Sequence, residues 1–580
     1  MSFTAIRSIA YSSLATTQLQ MALTSSNVAN ADTEGYSRKV AVQTSASTGT
    51  VGAGVSVTAI RSNVDKYLLK DLVAATSTLG AATSTDSFAS KLQNLLGATT
   101  GSDSGGTSLA NSIANLETAL SSLAGTPESQ TLQAQVVDAL DTLASQLRET
   151  SAGIQGLRAD ADDGIEDSVD SINASLNSIA TLNSQIAAAQ ARGDATGDLE
   201  DKRNTALQTL SGQMDVKYYV TSDNQMRIST SSGTTLLDSN VHELSYSSAA
   251  AVTSATVFDG ITVDGKDITG EITSGTVGAL IAQRDTELPA AQAELDELAA
   301  GLIETLNSIH NAGSSSPPPT TLTGTTTVSA SDALSGSGTV RFAVTDADGA
   351  LVSYQDLDLS AYTTVGDLAS AIDAIDGLSA AVNSAGKLVV TADASDKGVA
   401  VVDIDSAVGS DDQGLSDYFG LNDLLTGSSA ATISVRSDLL ATPGLLATSA
   451  LSTAATLTVG ASVVSVGESS VAEAMNDALS GNHSFIAAGK LKASTTSFAD
   501  YATGIVSTIA TTASSASTAL DTGTSARQSL ADSLSSQSGV NVDEETARLS
   551  ELEQQYAMAG QLLEALNNMF DTLLQAVQSS

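Results

Sequence analysis

His242, His310 and His483 are the only imidazoles in a 580-residue chain. None sits in an HExxH, HxH or local Ser-His-Asp arrangement, the spacings that place two ligands, or a nucleophile and its base, side by side. They read as structural or surface residues. Asp346, Asp348 and Gly349 match the opening of a calcium loop, but Ala350, Leu351 and Val352 follow where further oxygen ligands and a closing Glu are needed. A turn is expected there, and Asp264-Gly265 and Asp259-Gly260 likewise suit hairpins. No glycine-rich loop ends in Lys-Ser or Lys-Thr to cradle phosphate. Cysteine is absent, which excludes disulfides, thiol nucleophiles and Cys-ligated zinc. The residue types therefore predict no catalytic, metal or cofactor-binding residue and no cofactor, and the chain reads as not an enzyme.

The remaining chemistry is packing, and composition limits its style. Trp is absent and aromatic residues make up 3% of the chain. A core of Ala, Ser, Thr and short aliphatic residues suits long, thin helical bundles better than a deep pocket. A formal charge of -41 repels phosphate, so neither nucleic acid nor an anionic membrane is an expected partner. No apolar run approaches the roughly 18 residues of a membrane span. Arg7 is not followed by an uninterrupted apolar stretch, so no cleaved secretory signal is expected, and export would need another route.

The elements that position this packing begin at the two ends of the sequence. Leu549, Leu552, Tyr556, Ala559, Leu563, Leu566, Phe570, Leu573 and Val577 recur at steps of three and four, predicting a helix with one continuous apolar seam. Phe3, Ile6, Ala10, Leu14, Thr17, Met21, Thr24 and Val28 repeat in the same way with smaller and more polar members. The two seams are candidate partners. Such a stripe alone fits an ordinary core or a homotypic coiled coil as well as an assembly surface between copies.

Between the ends, the turn residues Asn30 to Gly35 should stop the first helix, and residues 37–60 read as extended chain or a hairpin. A helix resumes from Val64 to about Leu96, followed by a flexible break at Gly101–Gly106. Thr126-Pro127-Glu128 reads as a helix start, and the pattern from Leu132 to Ile186 continues to Gly193, with Gly153, Gly156 and Gly164 as places to bend. Helices at 109–124, 198–213 and 288–312 supply its neighbours. The fold class expected is multidomain α+β: a terminal coiled-coil or bundle region at 1–40 with 538–580, and a long helical-bundle domain at 41–215 with 275–316 and 484–537. A small β-rich insertion is expected at 216–274. An outer α+β module at 320–483, after Pro317-Pro318-Pro319, completes the division; its stretch 450–470 leans to β-structure, and helices resume near 484.

The motifs flanking the seams carry a resemblance. Ser26-Asn27-Val28-Ala29-Asn30-Ala31-Asp32-Thr33-Glu34-Gly35-Tyr36-Ser37-Arg38 resembles the N-terminal motif of flagellar rod, hook and hook-associated proteins, and Ser538-Gly539-Val540-Asn541-Val542-Asp543-Glu544-Glu545 with the following helix resembles their C-terminal motif. Asp201-Lys202-Arg203-Asn204, Gly278 to Asp285 and the helix to Gly313 are similar to the helical domain of the hook-associated members. Phe419-Gly420-Leu421-Asn422-Asp423-Leu424-Leu425 is similar to a segment near the end of their variable insert. The likeness covers the first 40 residues, about 85–313 and the last 90; 320–480 is largely unmatched, and Glu34 and the acidity depart from the pattern.

This resemblance implies a structural, secreted component of the bacterial flagellum at the hook-filament junction, exported by the type III route with its ends unordered until assembly. The implied assembly residues are Ile6, Leu14, Met21, Asn27, Asn30, Gly35, Tyr36, Leu549, Leu552, Tyr556, Leu563, Leu566, Phe570, Leu573 and Val577. The implied partners are other copies in a helical ring, the hook protein, a second junction protein (hook-associated protein 3) and an export chaperone before secretion. Another axial protein of hook or rod type, or an exported coiled-coil filament or adhesin, stands as the alternative.

Overall fold

The computed structural model describes residues 3–33, 35–48, 51–97 and 108–578. Glu34, the break at Gly101–Gly106 and the side chain of Phe3 fall outside what it describes. Helix α1 (Phe3–Ala29) leads into a hairpin of β1 (Lys39–Thr48) and β2 (Val51–Ser62) that lies along it. α2 (Lys66–Leu95), α3 (Leu109–Gly125), α4 (Gln130–Arg192) and α5 (Gly197–Gln213) follow. After the β insertion come α6 (Gly275–Ala282) and α7 (Leu288–Asn311), joined by a π-helical turn at Gln283–Glu287. The outer module carries α8 (Val365–Asp373), α9 (Leu415–Phe419) and α10 (Ser437–Ala441). The sequence then returns through α11 (Ser470–Ser480), α12 (Phe498–Ser538) and α13 (Val542–Gln578).

α4 is the spine. Its 63 residues run without interruption, about 95 Å at 1.5 Å per residue. The start differs from expectation: Ser129 caps the first turn by accepting from Leu132 N–H, whereas Thr126 closes α3 and Pro127 lies in the turn between them. Gly193, at φ +76°, ends the helix in the left-handed conformation that glycine adopts without penalty. The internal glycines do not break it. A Cβ on Gly153 would lie 2.2 Å from a Leu95 methyl, so this residue admits the end of α2 against the spine.

Val136, Leu140, Leu147, Ile154, Ile165, Ile172, Leu176 and Ile179 of α4 share one apolar core with Ile113, Leu116 and Leu120 of α3, Leu295, Leu298 and Leu302 of α7, and Phe498 and Ile505 of α12. Two three-stranded antiparallel sheets make up the β insertion: 216–220 with 226–230 and 235–237, and 244–245 with 262–263 and 266–267. Asp264 and Gly265, both at positive φ, form the expected hairpin tip. In the outer module, strands 339–346, 351–358 and 397–403 form one sheet and 378–382, 388–392 and 321–323 another. Asp346 makes a turn, its carboxylate accepting from the N–H groups of Asp348 and Ala350.

Three segments behave differently from the sequence reading. The module's own core takes residues from Leu322 to Leu421, while Leu424, Ile433, Leu439, Leu446, Val471 and Met475 of the expected 320–483 unit bury in the helical core. Most of 450–470 is irregular rather than β, and it crosses one sheet face by burying Leu451, Val463 and Val464. Long helix resumes at Phe498, after a hairpin of 483–485 with 494–496, and not at 484.

Candidate assembly site at the paired ends

α1 and α13 pack against each other over much of α1's length. The last turn of α1 meets the first turn of α13, because Asn27 Nδ2 donates to Glu545 Oε2 at 3.0 Å, so the two helices run antiparallel. Their buried positions have matching spacing: Ala10, Thr17 and Thr24 on α1, and Leu552, Ala559 and Leu566 on α13. Seven-residue steps on both helices define a narrow seam of coiled-coil type. The ends expected to stay unordered before assembly are here joined to each other.

The seam covers only part of the apolar surface. Of the residues singled out from the sequence, Leu552 and Leu566 are buried; Ile6, Leu14, Met21, Leu549 and Leu563 are half-buried at its margins. Tyr556, Phe570, Leu573 and Val577 are exposed, the last three by more than half of their surface. Met558, Leu562, Met569 and Leu574 are exposed as well, and the sequence reading missed them. Their signal was present as a second apolar stripe beside the first. The small side chains of α1 shield one edge of a broad apolar face, and the other edge remains open to water.

The geometry at the base of this pair is polar. Asn27 is 1% exposed, and its amide joins three segments. Besides Glu545, Nδ2 donates to the Lys39 carbonyl at 3.1 Å, while Oδ1 accepts from Lys39 N–H and from Tyr36 Oη–H, both at 3.0 Å. Arg38 places Nε and Nη2 on Glu545 Oε1, each at 2.7 Å, and Arg38 N–H donates to the Ser538 carbonyl. The Lys39 ammonium, buried, pairs with Asp201 of α5; Asp201 also accepts from Ser37 N–H at 2.9 Å and Ser37 Oγ at 2.6 Å. Burial, with Asp198, Asp201 and Glu545 nearby, pushes the Tyr36 phenol above its ordinary pKa.

Asn30 has a smaller part, donating to the Ser26 carbonyl at 2.9 Å on the surface. Gly35 turns the backbone at φ +78°, and a Cβ there would lie 2.9 Å from Thr205 Oγ1. Arg38, Lys39, Asp201 and Glu545 are thus the site residues that the sequence reading did not select, although Arg38, Asp201 and Glu545 lie in its motifs and Lys39 directly follows one. The buried Lys39 and half-buried Arg38, paired with two buried carboxylates, hold geometry, since removing either cation strands a buried carboxylate's charge. The joint fixes the terminal helices to the β1–β2 hairpin, to α5 and to the α12–α13 corner.

The other sequence motifs serve the bundle. Arg203 Nη1 donates to Asn183 Oδ1 at 2.9 Å and to the Asn224 carbonyl, tying α5 to α4 and to the β insertion. Arg284 and Asp162 form a pair at 2.8 Å with side chains 3% and 1% exposed, under Tyr246 and with the Phe258 ring 4.3 Å from the guanidinium. The histidines occupy separate settings. His242 meets Asp264 at 2.6 Å, His310 is enclosed between Asn422 and Ala447, and His483 stacks on Phe498. Among the described residues no group of three or more His, Asp or Glu is placed to hold a metal ion, and no helix is long and apolar enough to cross a membrane.

Comparison with known proteins adds three separate likenesses. Residues 89–324 match the family model described as the flagellar hook-associated protein FlgK helical domain. Residues 8–36 match the flagella basal body rod protein model, and 533–576 match the C-terminal model of flagellar basal body rod FlgEFG proteins. Flagellar hook-associated protein 1 of Escherichia coli K12 is 25% identical over 317 residues, 52% of this chain and 56% of that protein. Its counterpart in Salmonella typhimurium LT2 is 25% identical over 315 residues with the same coverage. The chain thus matches somewhat more than half the length of these curated relatives. A solved structure of the flagellar hook junction protein FlgK from Burkholderia pseudomallei shares the multidomain α+β fold at a TM-score of 0.50 and 17% identity, covering 80% of this chain and 98% of that one.

Proposed function

We propose that this chain, which resembles flagellar hook-associated protein 1 through its helical domain and both ends, is a non-enzymatic structural component of the bacterial flagellum that joins the hook to the flagellin filament. The observation that carries the reading is the half-covered apolar face of α13, held in place by the Asn27–Glu545 joint. A monomer that exposes Tyr556, Met558, Leu562, Met569, Phe570 and Leu573 along one helix presents a surface that other copies can bury. Copies stacked about a common axis would cover it, with the α4 spine as a stiff outer column. The family likeness supports the hook protein and hook-associated protein 3 as axial neighbours, an export chaperone as a partner before secretion, and the hook-filament junction as the location. The helical domain at 89–324 favours this reading over a hook or rod protein.

Electron microscopy of a strain lacking the protein tests it. Intact hooks without filaments are expected, restored by the native chain and not by one carrying Phe570→Asp with Leu573→Asp. Filaments growing from hooks in the deletion strain would overturn the assignment.

A further inference from the structure

The outer module is seated on the end of α7 through Asn307, which accepts from the N–H groups of Leu424 and Leu425, through Asn311, which bonds Asp423 and Asn422, and through His310. α7 ends at Asn311, and the chain passes outward at Ser314 beside its own return at Ser449. Ser314 N–H donates to the Ser449 carbonyl at 2.7 Å and Ser449 N–H to the Ser314 carbonyl at 3.2 Å. His310 lies under this crossing, wholly buried. Its Nδ1 bonds the Asn422 carbonyl, and its Nε2 accepts the N–H of Ala447 at 2.8 Å. Asn422 replies through Nδ2 to the carbonyls of His310 at 3.0 Å and Gly313 at 3.1 Å. Only the neutral ring with its proton on Nδ1 satisfies both backbone partners, since an amide N–H can only donate and a carbonyl can only accept.

A second proton has no place to go. On Nε2 it would point at the Ala447 N–H, donor against donor. Of the charged groups around the ring, Arg436 beside α10 opposes a positive charge and Asp438 favours it. Asp423, on the segment beside Asn422, already accepts from Asn311 Nδ2 at 2.7 Å and from Thr325. Asp417 of α9 and Glu304 of α7 lie farther along the same contact. Burial dominates and moves the His310 pKa down to about 4.

We propose that this neck holds an acid-sensitive latch: protonation of His310 ends its bond from Ala447 and weakens the hold of α7 on residues 422–449, which Asn307, Asn311 and the shared apolar core also keep in place, so the outer module loosens while α3, α4 and α12 stay packed. The sign follows from linkage. The closed neck holds a neutral ring and the open neck a ring of ordinary pKa near 6.5, so closure is complete above that value and weakens as the pH falls toward 4. Opening should rise about tenfold per pH unit, about 300-fold across the window. Burial raises the pKa values of Asp417 and Asp423, so their protonation favours the closed neck as the pH falls and acts in the opposite sense. The signature is therefore the difference between chains with and without the imidazole.

The chain has no cysteine of its own, so one buried thiol reports opening. Full-length Leu446→Cys, alone and with His310→Gln, is labelled with a dipyridyl disulfide between pH 7 and 4, each rate divided by that of a free peptide thiol. The ratio of the normalised rates, His310 chain over Gln chain, should climb about tenfold per unit below pH 6.5. The same pH course in both chains would overturn the proposal. Imidazole NMR of the otherwise native chain, with His242→Gln and His483→Gln to assign the other two rings, gives an independent reading. His310 should remain neutral at pH 5.5 while the neck is closed; a ring titrating near 6.5 with residues 422–449 still in place overturns the latch even if the Gln variant fails to fold.

Discussion

Replacing Asn27 by Ala removes all four hydrogen bonds that the amide makes to Lys39, Tyr36 and Glu545. The Tyr36 hydroxyl is half-buried and can turn to water. The Lys39 N–H and carbonyl and one oxygen of Glu545 cannot, because both residues are buried. At roughly 1–3 kcal/mol for each stranded group, the joint should weaken by about 4 kcal/mol. That is about a thousandfold in the equilibrium for separating α1 from α13. The apolar seam offers little compensation, since the buried members of α1 along it, Ala10, Thr17 and Thr24, are small or polar and Ile6, Leu14 and Met21 are half-buried at its margins. Hydrogen exchange on the full chain should show amides in 10–29 and 545–566 exchanging hundreds to a thousand times faster, while those in 165–186 of α4 hold their rates. Asn30→Ala supplies the contrast: it loses a surface bond to Ser26 and a long one from Thr33, worth under about 1 kcal/mol, so less than a tenfold change is expected. Equal and small effects from the two substitutions would refute the claim that Asn27 is the clamp.

Gly35→Ala should lower stability by about 1–2 kcal/mol, from its positive φ and the approach to Thr205, and Gly35→Asn should cost less; thermal melts compare them. Arg284→Met strands the buried Asp162 carboxylate and should destabilise the helical domain by about 3–5 kcal/mol in urea titration, with part of the loss regained when Asp162→Leu is added. Leu176→Ala should cost about 2–5 kcal/mol by opening a cavity in the spine, with exchange in α13 unchanged.

The elements that the sequence made plain are those whose signal is local. The period from Leu132 to Ile186 and the stop at Gly193 are properties of consecutive residues, and α4 follows them. The cap was misread because Thr126-Pro127 and Ser129 offer competing starts three residues apart, and the geometry of the α3–α4 turn decides between them. Two apolar segments of similar composition, Leu322 to Leu421 and Leu424 to Leu446, enter different cores, and no periodicity distinguishes the destinations. At the candidate site, both halves of the helical pair were legible as seams. Their joint was not: Asn27 and Glu545 are 518 positions apart, and Lys39 and Asp201 are 162 apart. A single sequence shows that such polar residues exist, while the fold alone shows that each satisfies another. The exposed second stripe of α13 was hidden for a different reason, because a wide apolar face looks the same in sequence whether a neighbour covers all of it or half.

The central claim, that the outer face of α13 is buried between copies, is tested most directly by oxidising methionines in the free chain and in isolated hook-filament junctions. Met558 and Met569 are 61% and 56% exposed, whereas Met214, Met226 and Met475 are buried. The account predicts rapid sulfoxide formation at Met558 and Met569 in the free chain and strong protection in the junction, with the three core methionines slow in both. Equal oxidation of Met558 and Met569 in the two states would contradict it.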